Sequence, residues 1–356
     1  MKKEENKEFR IEDQIKLYSN EIVFAGHPDK ICDQISAAIL QYYMDYDRNT
    51  RAGIEVCGGK GKIFITGEIT TSIPVRKSDI KLIVKNILFH YGYHKKYKII
   101  VNLSAQSPDI AMGVDVGGAG DQGMMFGYAC RETYKLLPKA MVILQEFSKW
   151  YDSLSLSNAA LGCDGKAQIT GAYDKFWKLQ YIDTFLVSYQ NEETKECRET
   201  YDKAIQDKIK ELCKKFKVDV HRILINPTGK FKVGGFDGDA GLTGRKIVVD
   251  AYQSFANVGG GCMNGKDPTK VDFSAAHKAR QLAIRYLRQY KFNWCEVQLS
   301  YAIGLDRPLA IYIRSNKGNI TPDESVYEEC KPAKIINDLQ LRNLDYVSLA
   351  KFGHFS

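Results

Sequence analysis

Residues 260–267 read GGCMNGKD. The spacing from Gly260 to Gly265-Lys266 is that of a phosphate loop, in which backbone N–H groups surround a polyphosphate and the lysine reaches its outer oxygens. A hydroxyl for Mg²⁺ should come next; instead Asp267 and Pro268 follow. A carboxylate there repels phosphate, and proline suits only the first turn of a helix. The segment therefore fits polyphosphate binding without being a P-loop. GDAGLTGRK (238–246) adds Asp239, Arg245 and Lys246, so with Lys266 and Lys270 four cations sit on glycine-rich backbone. Such a cluster is costly unless an anion offsets it. GHPDK (26–30) sets His27 and Asp29 at a helix N-terminus, where anions are favoured, although capping alone also accounts for both. Glu68 interrupts an apolar strand in GEITT. QSPDI (106–110) and GAGDQG (118–123) flank a glycine-rich stretch that reads equally as a turn or a lid. With no GxSxG elbow, no HExxH helix and no paired Cys–His setting, the chemistry rests on positioning and electrostatics rather than a covalent intermediate.

The elements that must hold these residues alternate. Ile31, Ile35 and Ile39 recur on a helix from His27 to about Met44, KIFITGEITT (62–71) is a strand, and Ser78 is expected to cap a helix bearing Ile80, Ile83, Ile87 and Leu88. YKIIVNL returns as a strand. Farther on come a helix over YKLLPKAMVILQEFSKWYDS, a hairpin around AYDK, an amphipathic helix over TYDKAIQDKIKELCKKF and a strand at HRILINPTG. The final part gives a helix from Ser274 to about Tyr290, strands at CEVQLSYAIG and PLAIYIRS, and a helix near KPAKIINDLQL. Mixed α and β elements recur three times, but the side-chain patterns alone do not define a repeat. The division expected is a charged N-terminal extension (1–17) and modules at 18–112, 113–233 and 234–356, with residues 1 to about 15 frayed.

At 356 residues the chain is long enough for two or three modules. Its 44% hydrophobic and 26% charged residues are those of a globular protein, and no apolar run approaches a membrane span. MKKEENKEFR lacks the apolar core of a signal peptide, which points to the cytosol. Nine dispersed cysteines with no CxxC argue against a disulfide framework and against structural zinc. The net charge of +8 is spread among acids, so a solvated surface accounts for it better than nucleic-acid binding.

Taken in order, GHPDKICDQIS, GEITT, QSPDI, GAGDQGMMFGYA, INPTGKF, GDAGLTGRK and GGGCMNGKDPTKVD resemble the S-adenosylmethionine synthetase (methionine adenosyltransferase) family, from about Ser19 to Phe355. The resemblance implies an α/β (α+β) fold of three similar β-α-β modules about a pseudo-threefold axis. It also implies a homodimer packed sheet to sheet with shared active sites, in some cases pairing into a homotetramer. The implied reaction joins ATP and L-methionine, displaces the whole triphosphate and hydrolyses it to phosphate and pyrophosphate, with Mg²⁺ and K⁺ as cofactors and no nucleic-acid or membrane partner.

By the same resemblance His27 assists departure of the ribose 5′ oxygen, Asp29 holds Mg²⁺, Glu55 holds K⁺, and Asp272 lies in a segment that binds Mg²⁺ or K⁺. Glu68, Gln106, Asp121, Asp239 and Lys270 match methionine contacts. Asp164, Lys166, Lys230, Phe231, Asp239 and Cys262 match ATP contacts, with Phe231 stacked on adenine. Arg245, Lys246, Lys266 and Lys270 hold phosphates, and His27, Lys166, Arg245, Lys266 and Lys270 are the catalytic set. The chain departs from the family pattern at Phe24-Ala25, Lys230, Phe236 and Asn264, and in a short segment before GAGDQG; Asn264 bears on the K⁺ requirement. A non-catalytic regulatory relative binding ATP or S-adenosylmethionine is the alternative, against which stand His27, Asp29, Lys166, Lys266 and Lys270. A kinase on the near-P-loop would need a hydroxyl where Asp267 stands.

Overall fold

The computed structural model describes residues 16–107 and 117–356. The expected frayed start and the middle of the QSPDI–GAGDQG stretch lie outside them. The first part runs β1 (Lys16–Val23), α1 (Pro28–Tyr46), β2 (Arg51–Gly59), β3 (Lys62–Thr70), α2 (Lys77–His90) and β4 (Lys98–Ser104). The second repeats that order as β5 (Gly123–Cys130), α3 (Lys139–Leu156), β6 (Leu161–Tyr173), β7 (Leu179–Asn191), α4 (Lys195–Phe216) and β8 (Asp219–Ile225). The third has β9 (Gly241–Leu242), α5 (Val271–Gln289), β10 (Trp294–Tyr301), β11 (Ala310–Ser315) and β12 (Gly318–Ile320). Short helices follow, ending with α6 (Tyr346–Phe352).

In the first two rounds an antiparallel hairpin is followed by a helix and a parallel strand, β3 with β4 and β7 with β8. The third round differs because only residues 316 and 317 separate β11 from β12. Parallel pairing needs a crossover of a dozen or more residues, so β12 turns back antiparallel.

The first strand of each round leaves its own hairpin for another sheet. The sheets are ordered β1-β6-β7-β8, β12-β11-β10-β5 and β4-β3-β2-β9. The exchange is cyclic: β1 pairs with the second hairpin, β5 with the third and β9 with the first. Each long helix after an exchanged strand packs on its own hairpin, α1 on β2, α3 on β6 and α5 on β10. Strand alternation supplies the buried faces: in β2 Ala52, Ile54 and Val56 point inward, Glu55 and Cys57 outward.

Several sequence expectations shift. Ser78 lies inside α2 rather than capping it; the cap position is Arg76, without a side-chain bond, and Ser78 Oγ lies 3.0 Å from Asp79 Oδ1. The helix expected from Tyr134 starts at Lys139, after Pro138, and α5 starts at Val271, three residues before Ser274. The AYDK hairpin is present, closed by Asp174 Oδ1 accepting from the Phe176 and Lys178 amides. Two departures from the family pattern are core residues. Phe24 stacks on Tyr151 with ring centroids 4.1 Å apart, and Phe236 packs against Tyr93 and Tyr97.

Candidate active site

Strand exchange assembles a first group of candidates. Pairing of β1 with β6 sets Val23 opposite Lys166, and the chain then runs through Phe24 to His27, the N-cap of α1. His27 Nδ1 accepts the Asp29 amide at 3.2 Å. Burial, reinforced by Lys246, lowers the His27 pKa to about 4. The ring is thus neutral near pH 7 and, with Nδ1 accepting, carries its proton on Nε2. Pairing of β9 with β2 brings the next loop over the same helix start. Asp29, 1% exposed, accepts the Leu242 amide at 2.9 Å, bonds Lys246 Nζ and lies 3.7 Å from Arg245. Burial opposes the charge on Asp29, but Lys246 and the Leu242 amide hold its pKa below the usual carboxylate value. Asp164 Oδ2 accepts the Gly235 amide at 2.7 Å; its burial outweighs that bond and raises its pKa to about 6. Lys166 and Asp239 act electrostatically on both His27 and Asp164, so these residues share one neighbourhood. Phe231 is half-buried, its amide bonded to Glu193, while Lys230 is exposed.

A second group lines a cavity of about 430 Å³ whose walls include Glu55, Glu68, Asp121, Asn264, Lys266 and Lys270. Lys270 Nζ lies 3.3 Å from Glu68 and 3.0 Å from Asp267. Gln106 Nε2 donates to Glu68 Oε1 at 2.9 Å, and among the described residues nothing donates to the buried Gln106 Oε1. Lys266 bonds Asp272, the second residue of α5, and Asp121 also acts on its charge. A larger cavity, about 650 Å³, between residues 89–97 and 155–163 contains none of the candidates. The charged convergence, not volume, marks the site.

The near-P-loop is built differently from a phosphate loop. Lys266 forms an isolated bridge to Gly53, and Gly265, at φ +72°, accepts the Ile54 amide at 3.0 Å. A Cβ on Gly265 would stand 2.3 Å from the Ile54 carbonyl. Asp267 is fully buried: Oδ2 accepts the Ala52 amide at 2.8 Å and Oδ1 the Thr269 amide at 2.9 Å. The residue that argues against a P-loop thus anchors the loop to β2 and orients Lys270. Cys262, within the loop, has its Sγ 3.3 Å from the Asn264 amide, and burial pushes its thiol up.

Among the described residues no three His, Cys, Asp or Glu side chains form a preformed metal cage. Asp29 and Asp272 each face a lysine, a donor set suited to a divalent ion that arrives with anionic oxygens of its own. Glu55 is exposed at the cavity wall, while the Asn264 amide oxygen faces His354 Nε2 at 3.0 Å. Sequence reasoning missed Lys30, Asp33, Asp250 and His354, buried polar residues directly behind both groups.

Family models of the N-terminal, central and C-terminal domains of S-adenosylmethionine synthetase match residues 15–111, 116–231 and 233–356. An S-adenosylmethionine synthase of Fusobacterium nucleatum is 40% identical, the match covering 95% of this chain and 92% of that one. One of Clostridium tetani is 40% identical over 96% and 94%. A solved structure described as an unusual S-adenosylmethionine synthetase from Campylobacter jejuni superposes with a TM-score of 0.83 at 31% identity, covering 95% of this chain and 94% of its own. With all three domains matched in order, this chain belongs to the S-adenosylmethionine synthetase family.

Proposed function

We propose that this chain forms S-adenosylmethionine by direct displacement of triphosphate from ATP, in centres that each draw one of the two residue groups from each of two copies. The carrying observation is that Arg245 and Lys246 in one group, and Lys266 and Lys270 in the other, face carboxylates, with a neutral His27 beside the first. Methionine sulfur is neutral and needs no base. Its lone pair forms the bond to ribose C5′ as the C5′–O bond breaks, leaving a sulfonium and a triphosphate with about four negative charges. Stabilising that leaving group is the difficult part, and oriented cations supply the stabilisation. His27 Nε2–H would donate to the departing 5′ oxygen. Lys166, Arg245 and Lys246 would receive phosphates from one side, Lys266 and Lys270 from the other. Glu68, Gln106, Asp121 and Asp239 would hold the methionine, its ammonium donating to Gln106 Oε1. Asp164, Lys230, Phe231 and Cys262 would line the nucleoside. Mg²⁺, when bound, would add charge neutralisation on the triphosphate, held by Asp29 and Asp272; Glu55 would face K⁺.

Sharing of centres is supported by the sheet that carries both groups. Leu242, Cys57, Phe64 and Ile100 lie directly opposite one another across four strands, an exposed apolar row. Such a row on one sheet face favours covering by another surface. Gly53, beside Lys266, is four residues along β2 from Cys57, beside Leu242, or roughly 13 Å. A second copy packed on this row would bring its own groups to each end. Incubation with ATP, methionine and Mg²⁺ tests the reaction: equimolar S-adenosylmethionine, phosphate and pyrophosphate are expected, and ADP or AMP without the sulfonium product would refute it.

A further inference from the structure

Behind the two groups lies a buried chain of side chains that meets the second of them only at Asn264. Lys30, 1% exposed, donates to both Asp250 carboxylate oxygens at 2.6 and 2.7 Å and to Asp33 at 3.1 Å. Burial works against its charge, but Asp250 and Asp33 outweigh that and hold its pKa above the ordinary lysine value. Asn264 Nδ2 donates to Asp250 at 3.2 Å, and Asn264 Oδ1 is 3.0 Å from His354 Nε2. The His354 amide donates to the Asp250 carbonyl at 3.0 Å, and Asp33 accepts the Gly244 amide at 2.9 Å. Because an amide oxygen only accepts, His354 must carry its proton on Nε2.

Each link sits beside a different phosphate-binding arm. Lys30 follows Asp29 on the first turn of α1, three residues after His27. Asp250 closes the helical turn that begins after Lys246, its amide bonded to the Lys246 carbonyl at 2.8 Å. Asn264 stands two residues before Lys266. His354 comes from the segment after α6 and bonds two of the arms at once, through its ring and its backbone. Neighbouring rings lock it: Phe273 and His277 contact its ring, and Phe355 stacks on Tyr252 at 4.9 Å. A buried polar chain of this kind fixes geometry because each break leaves an unpaired group in low dielectric.

We infer that His354 is a positioning residue for triphosphate displacement: through Asn264, Asp250 and Lys30 it sets the relative placement of the His27–Asp29, Arg245–Lys246 and Lys266 arms. The inference rests on the catalytic reading above. It assigns a kinetic role to a residue that touches no reacting atom, since an ångström of misplacement is enough to slow an oriented reaction.

The test compares His354→Leu, which keeps bulk but cannot hydrogen-bond, with His354→Gln, whose side-chain amide can donate. Wild-type formation of S-adenosylmethionine is the control; its absence would refute the catalytic reading, not this one. His354→Leu is expected to lower kcat at least tenfold and to raise KM for ATP, with fold retained by circular dichroism. His354→Gln should return kcat to within about threefold of wild type. Asn264→Ala breaks the same link from its other end and serves if His354→Leu does not fold. It should give the same kinetic pattern, and the double variant should be no slower than the worse single one. Folded variants with unchanged kcat and KM, a His354→Gln as slow as His354→Leu, or multiplicative losses in the double variant would overturn the inference.

Discussion

At residue scale the proposed chemistry rests on His27 and Lys266, for opposite electrostatic reasons. Burial keeps His27 neutral, so it can donate to the leaving oxygen without adding a fixed charge. Lys266 stays charged: Asp272 offsets the cost of burial and holds its pKa above the ordinary lysine value. Lys266→Ala should therefore lower kcat by about 10²–10³, the loss typical of one oriented donor to a developing anion. Initial rates of S-adenosylmethionine formation at saturating substrates measure it, and a loss under threefold would remove Lys266 from the leaving-group site. Phe231→Ala should raise KM for ATP several-fold while kcat falls less, since a stacking ring contributes mainly binding. An unchanged KM would refute the nucleoside role. The segments that hold His27 and Lys266, GHPDK and GGCMNGKD, stood out in the sequence because glycine and charge lie within a few residues, whereas Phe231 came from the family resemblance alone. The contacts that Lys30 and His354 make were not legible, because Lys30 meets Asp250 across 220 residues and His354 meets Asn264 across 90.

Among elements, the exchanged strands do the positioning. Two residues of β9 suffice to bring Leu242 over Asp29, and a two-residue strand has no periodicity to read. The alternation of helix and strand was legible; the trading of β1, β5 and β9 between sheets was not, because pairing partners depend on contacts far along the chain. The exchange also demands close packing. A Cβ on Gly127, in β5, would lie 1.9 Å from the Ala279 carbonyl carbon in α5. Gly127→Ala should therefore destabilise the fold by about 1–3 kcal/mol or more, as overpacking does. Thermal unfolding would show this as a Tm lowered by several degrees, and a Tm within one degree of wild type would contradict the close approach.

At the scale of the whole molecule, burying His277 and His354 costs stability in acid. Burial lowers the His277 pKa to about 4 and that of His354 well below the ordinary value. Both bind protons more readily when unfolded, so stability is full above about pH 6.5 and falls as pH drops from there toward 4. Tm should decline between pH 7 and 5, and His277→Phe should flatten that decline; a variant that follows the wild-type curve would show that His277 does not contribute. At the same scale stands the claim that each centre takes one residue group from each of two copies, across the row of Leu242, Cys57, Phe64 and Ile100. Mixing His27→Ala protein with Lys266→Ala protein, unfolding and refolding them together, tests it most directly. Mixed dimers would contain one centre with both defects and one with neither. Half of the dimers being mixed, activity should rise from near zero to about a quarter of wild type. Verified mixed dimers without any recovery would mean that both groups serve one centre within a single chain.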